Sequence, residues 1–88
     1  MQHNTKPDLK KDVEDIRVIH RKCLAIIFSC VGLPQMKAAE TYNNLAAKLL
    51  RSRFPNKHIY RDHNKILDMV FKNIDICLTL KRRQLRMS

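Results

Sequence analysis

Histidine and cysteine are the residues of this chain whose types and spacing could hold a metal ion. His20 and Cys23 are three residues apart, which places them on one face of a helix. His58 and His63 are five apart, so on a helix they point in different directions. A tetrahedral zinc site needs four ligands, and only chance packing would bring His63 or Cys77 to the first pair. We therefore predict no metal and no cofactor, and we expect His20 to be a histidine at the core edge, bonded to a carbonyl.

The sequence contains no recognisable catalytic motif. Gly32 is the only glycine, so there is no glycine-rich loop to hold phosphate groups. The three cysteines form no CxxC pair, and the eight acidic residues fall in no motif. A chain of 88 residues also has little length with which to wall a pocket beside a core. We predict a protein that is not an enzyme and assign no catalytic residue.

Basic side chains give the strongest chemical signal. The chain has 18 Lys and Arg against eight Asp and Glu, a net charge of +10. Residues 32–57 hold five basic and one acidic residue, net +4, and residues 81–88 hold four basic and no acidic residue, also net +4. Such a balance favours a polyanionic partner: nucleic acid, an acidic protein or an anionic membrane surface.

The positions of these residues predict an interface for nucleic acid. Arg61 and Asn64 are residue types that hydrogen-bond to bases, and they would lie near the start of the last helix, as in tri-helical DNA-binding proteins. Other basic residues would hold phosphates, although Asp62 and Asp68 lie on or near the same face and would repel them. The predicted nucleic-acid-binding residues are Lys48, Arg51, Arg53, Lys57, Arg61, Asn64, Lys65, Lys81, Arg82, Arg83 and Arg86.

Large apolar residues at helix ends support an alternative hypothesis, that of a protein-binding surface. Phe28, Leu33, Phe54 and Tyr60 would line a groove for a partner helix. The first helix could instead form the seam of a homodimer. In this interpretation the chain is a helical interaction or adaptor subunit, and its charge serves solubility or localisation.

Three helices are predicted to position these residues, at about 8–31, 35–53 and 57–80. The first follows from apolar positions at alternating spacings of four and three: Leu9, Val13, Ile16, His20, Cys23, Ile27 and Cys30. The second follows from Met36, Ala39, Tyr42, Ala46, Leu49 and Leu50, and the third from Ile59, His63, Ile66, Val70, Ile74 and Cys77. Short connectors predict antiparallel neighbours, and hence a single all-α domain, an up-down-up three-helix bundle spanning 1–88.

Specific residues mark the helix ends. Residues 1–7 are predicted to be a flexible or capping arm, with Thr5 and Asp8 forming a capping box or Asp8 itself serving as the N-cap. Gly32 is expected in a left-handed conformation after the first helix, and Pro34 is expected to prevent its continuation. Asn56 is expected to cap the third helix.

Cysteine usage and the chain ends predict the compartment. Cys23, Cys30 and Cys77 are interpreted as small buried hydrophobic residues in a reducing environment. No signal peptide is visible, and no apolar run is long enough to span a bilayer. We expect a soluble intracellular protein. The basic tail at 81–88, which would either extend the third helix or fray, resembles a nuclear localisation signal.

Overall fold

The structure is a computed structural model that describes residues 9–87. This part of the chain contains no strand and forms three α-helices: α1 (Leu9–Phe28), α2 (Leu33–Arg53) and α3 (Arg61–Met87). All three pairs of helices pack against one another. The predicted all-α three-helix bundle is therefore confirmed, whereas the predicted arm at 1–7 and its capping box at Asp8 lie outside the described residues.

Contacts between the helices give their directions. Asp12, near the start of α1, lies 2.8 Å from the Nε2 of His63 near the start of α3. At the other end, the backbone carbonyl of Phe28 accepts a hydrogen bond from Lys81, later in α3. Arg53, the last residue of α2, pairs with Asp12. Thus α1 and α3 run parallel and α2 runs antiparallel to both, which is the predicted up-down-up order.

One continuous hydrophobic cluster fills the space between the helices. Its buried members are Ile16, Cys23, Ile27, Cys30, Met36, Ala39, Ala46, Leu50, Phe54, Leu67, Val70, Ile74 and Leu78. Removal of these apolar side chains from water is the main favourable contribution to folding. None of the three cysteines forms a disulfide. Cys23 and Cys30 are buried as predicted, whereas Cys77, which was also predicted to be buried, is half-buried.

The first helix ends at Phe28, three residues before the predicted position. Cys30 lies beyond this end and is still buried, and its thiol lies 3.3 Å from the carbonyl oxygen of Ile26. The apolar periodicity therefore continued past the helix, because periodicity reports burial as well as helical structure.

The second helix begins at Leu33, two residues earlier than predicted. The left-handed conformation expected of Gly32 is wrong: its φ of −155° is extended, and it is the residue that precedes α2. Pro34 lies in the first turn of α2, where the backbone N–H that proline lacks would have no helical partner. Pro34 therefore belongs to the start of the second helix, rather than acting mainly as a stop signal for the first.

The third helix begins later and ends later than predicted. Asn56 accepts hydrogen bonds from the backbone N–H groups of His58 and Ile59, at 2.9 and 3.2 Å, so it caps the turn at 57–60 that leads into α3. The helix continues to Met87 rather than ending at Leu80, so the basic residues of 81–87 extend α3. The apolar stripe continues past the predicted end, since Leu85 packs against the core.

Candidate nucleic-acid interface

Ion pairs occupy part of the predicted interface. The Nη2 of Arg51 lies 2.9 Å from the Oδ1 of Asp68, which joins α2 to α3. Arg82 forms an ion pair with Glu40 and joins the same two helices nearer the other end of the bundle. These guanidinium groups already have carboxylate partners, so they contribute less to the attraction of an external anion than unpaired groups do.

An aromatic cluster closes the end of the bundle at the α2–α3 turn. Phe54 lies 4.6 Å from the His63 ring and 5.2 Å from the Tyr60 ring, between centroids. His63 contacts Asp12, and Arg53 lies over the Phe54 ring and also pairs with Asp12 at 3.6 Å. Phe54 is only 3% exposed and Tyr60 is half-buried. The prediction that these two residues line a groove for a partner is therefore wrong for Phe54, because the ring is part of the core.

Asn64 lies inside this same end of the molecule. Its Nδ2 donates to the carbonyl oxygens of Phe54, at 3.1 Å, and of Tyr60, at 2.9 Å. Its Oδ1 lies 3.4 Å from the Nη1 of Arg51. Asn64 is buried, and its amide is used to hold the turn, so it is not placed to read bases. The sequence suggested a surface position because asparagine is polar, and no local pattern marks the carbonyl oxygens that it binds.

A straight row of basic side chains runs along the solvent face of α3. It consists of Arg61, Lys65, Lys72 and Arg83, which we call the α3 row. At 3.6 residues per turn these four positions fall within a sector of about 40°, opposite the buried residues of the helix. All four are exposed, and none has an acidic partner among residues 9–87. Lys72 was not among the predicted residues, although its spacing of seven from Lys65 indicates the shared face.

The remaining predicted basic residues are dispersed. Lys57 is exposed in the turn before α3, and Arg86 is exposed near the end of the α3 row. Lys48 is exposed on α2, away from the row. Lys81 donates to the carbonyl of Phe28 at 3.3 Å, where its positive charge complements the C-terminal end of α1.

Acidic residues flank the α3 row without interrupting it. Asp62 and Asp75 are exposed, at helical positions roughly 60–80° to either side of the row. Asp68 is paired with Arg51. The repulsion of phosphate that the sequence suggested is therefore reduced at Asp68 and displaced to the sides at the other two positions.

Phe28 and Leu33, also predicted for the partner groove, lie at the α1–α2 connection. Both are exposed, and this connection is at the opposite end of the bundle from the Phe54 cluster. The four residues predicted to line one groove are therefore split between two ends of the molecule.

The described residues do not form a metal site or a membrane-spanning helix. Within 9–87, no group of three or more His, Cys, Asp or Glu residues is placed to hold a metal ion. His20 is half-buried at the core edge, with its Nε2 2.8 Å from the side-chain Oδ1 of Asn73. None of the helices α1 to α3 combines the length and apolarity needed to cross a bilayer.

Comparisons of the chain with protein-family models, with curated proteins and with solved structures found no significant match.

Proposed function

We propose that this protein is a small non-catalytic module that binds nucleic acid through phosphate contacts along the α3 row. The observation that carries the proposal is the alignment of Arg61, Lys65, Lys72 and Arg83 on one face without carboxylate partners. At a rise of 1.5 Å per residue the row extends about 33 Å. A duplex presents a phosphate charge every 1.7 Å or so along its axis, so a straight row of this length meets many phosphates.

Electrostatics also supports the proposal over the whole molecule. The net charge of +10 attracts a polyanion at long range. The ion pair with Arg51 partly neutralises Asp68, whereas the four basic side chains of the α3 row have no carboxylate partner among the described residues. Sequence preference does not follow from this arrangement, because phosphate contacts carry no base information.

A salt titration tests the proposal. Fluorescence anisotropy would measure the affinity of the full chain for a labelled DNA duplex and a labelled RNA duplex at several salt concentrations. Each phosphate contact with a DNA duplex makes the slope of log affinity against log salt more negative by about 0.9, so four contacts predict a slope of about −3.6. A slope near zero would contradict the proposal.

Charge reversal locates the surface. The triple variant Arg61→Glu, Lys65→Glu, Lys72→Glu lowers the net charge from +10 to 10 − 6 = +4, and we expect it to abolish detectable binding.

The matched control reverses Lys10, Arg17 and Arg21, which are exposed on α1, and also gives +4. This control should lose only the part of the affinity that depends on net charge. Equal losses in the two triple variants would show that no particular face is used. Tighter binding to anionic phospholipid vesicles than to either duplex, lost in the first triple variant, would assign the row to a membrane surface instead.

A further inference from the structure

The second helix has two apolar stripes, and only one of them faces the core. The buried stripe includes Met36, Ala39, Ala46 and Leu50. The other stripe consists of Ala38, Tyr42, Leu45 and Leu49, at spacings of four, three and four. Leu45 is 60% exposed, Leu49 56% and Tyr42 37%. Large apolar side chains that are exposed as a contiguous row, rather than singly, mark an interaction surface.

A groove lies along this exposed stripe where α2 meets α1. It has a volume of about 200 Å³ and is lined by Ile19, Tyr42, Leu45, Ala46 and Leu49. Ala46 is nearly buried and forms the floor, while the larger side chains form the walls. Amphipathic helices bind in apolar grooves through anchors at spacings of three, four and seven residues. The walls of this groove have the same periodicity, so they match a helix laid along it.

The charges at the edges of the groove indicate the kind of helix. Lys22 follows Ile19 by three residues on α1, and Lys48 follows Leu45 by three residues on α2. Both lysines are exposed, and neither has an ion-pair partner in the part of the chain that the structure describes. A helix with acidic residues beside its apolar face would place carboxylates against them.

A second copy of this chain fits the groove poorly. Each copy has a net charge of +10, and a high net charge of one sign opposes self-association. A two-fold contact would also bring the same surface of each copy together, with Lys22 and Lys48 from both sides at one seam. We propose that the α1–α2 groove binds the apolar face of an acidic amphipathic helix of another protein. This surface is separate from the α3 row and would serve a second partner.

A designed peptide tests the proposal. The probe is a labelled helical peptide of about 18 residues, roughly 27 Å long, with leucine at heptad spacing and glutamate on both sides of the leucines. We expect saturable binding to the full chain at physiological salt, with one peptide per chain. A scrambled peptide of the same composition, which has no apolar face, should bind at least about tenfold more weakly. Equal binding of the two peptides would show that charge alone is responsible and would overturn the proposal.

Matched double variants locate the peptide. Leu45→Asp with Leu49→Asp should weaken binding at least about tenfold. The control is Ile76→Asp with Leu80→Asp on α3, whose side chains are 50% and 55% exposed. This control introduces the same charges at a similar exposure and should change the affinity by no more than about twofold. Circular dichroism would check that both variants are folded, and a loss as large in the control as in the groove variant would contradict the assignment.

Two further measurements test the role of the two lysines and distinguish a partner helix from a second copy of this chain. In the variant Lys22→Glu, Lys48→Glu, a peptide with lysine in place of glutamate should bind more tightly than it binds to the parent chain, whereas no gain would reject the lysines as the edges of the site. Sedimentation equilibrium should show a monomer. A dimer that the Leu45 and Leu49 substitutions dissociate would overturn the proposal in favour of a second copy.

Discussion

Two buried asparagines provide a sharp test of the packing between α2 and α3. Asn43 is 5% exposed, and neither its Nδ2 nor its Oδ1 has a hydrogen-bond partner among the described residues. Asn64 is similarly buried, at 8%, but its amide bonds two backbone carbonyls. The same substitution to leucine should therefore have opposite effects at the two positions.

The expected magnitudes follow from hydrogen-bond energetics. An unsatisfied buried polar group costs about 1–3 kcal/mol. Replacement of Asn43 by leucine removes two such groups, and the cleft beside it, lined by Ala47, Ile74 and Leu78 among others, leaves space for the larger side chain. Some overpacking offsets the gain, so we expect Asn43→Leu to raise the free energy of unfolding by about 1–3 kcal/mol. Asn64→Leu removes the donor to the Phe54 carbonyl and should lower it by about 1–3 kcal/mol.

Urea denaturation followed by circular dichroism would measure both changes. Each 1 kcal/mol shifts the melting temperature of a domain of this size by about 4–8 °C, so thermal unfolding gives an independent value. The slope of the urea transition should stay constant in both variants, which would show that the unfolded state is unchanged. If Asn43→Leu destabilised the protein as much as Asn64→Leu does, the Asn43 amide would have to be satisfied, and the reasoning would be wrong.

Three other predictions concern the core. Phe54→Ala should lower the free energy of unfolding by about 3–5 kcal/mol, because the ring is buried, whereas Phe28→Ala, at an exposed position, should change it by no more than about 0.5 kcal/mol; urea denaturation would compare the two. A thiol reagent should modify half-buried Cys77 before the buried Cys23 and Cys30, as mass spectrometry after limited labelling would show. Burial also raises the pKa of the Cys23 thiol above its ordinary value of 9.0, so above that pH the unfolded chain holds fewer protons than the folded one. The free energy of unfolding should therefore fall as pH rises beyond about 9, and this decline should be smaller in Cys23→Ala.

The sequence was sufficient to predict three helices because apolar spacing is a direct consequence of burial. It was less reliable at the helix ends. Cys30 continues the stripe of α1 although it lies beyond the helix, and Leu85 extends the stripe of α3 into a segment that its basic residues made resemble a tail. In both cases the packing of one side chain decided the outcome, and a one-dimensional pattern contains no information about which neighbour it meets.

The candidate sites depended on the alignment of α2 with α3, which sequence alone does not define. Arg51 reaches Asp68 across the two helices, and Asn64 reaches back to the carbonyl of Phe54. Nothing in the spacing of these residues distinguishes them from exposed polar residues. Tyr42 and Leu49 show the converse. Their spacing agrees with core positions, but the stripe of α2 that packs into the core is the one with Met36, Ala39, Ala46 and Leu50, which has a similar period.

The geometry of the bundle makes the two proposed surfaces independent. The α3 row points away from α1 and α2, since it is opposite the buried face of α3, whereas the groove lies between α1 and α2. A partner helix in the groove would add negative charge at a distance of at least one helix diameter, about 10 Å, from the α3 row. At physiological salt the Debye length is about 8 Å, so the negative charge of the partner helix would be largely screened from a nucleic acid bound to the α3 row. Failure of either proposal therefore leaves the other intact, and success of both would make this chain a bridge between a nucleic acid and an acidic helical partner.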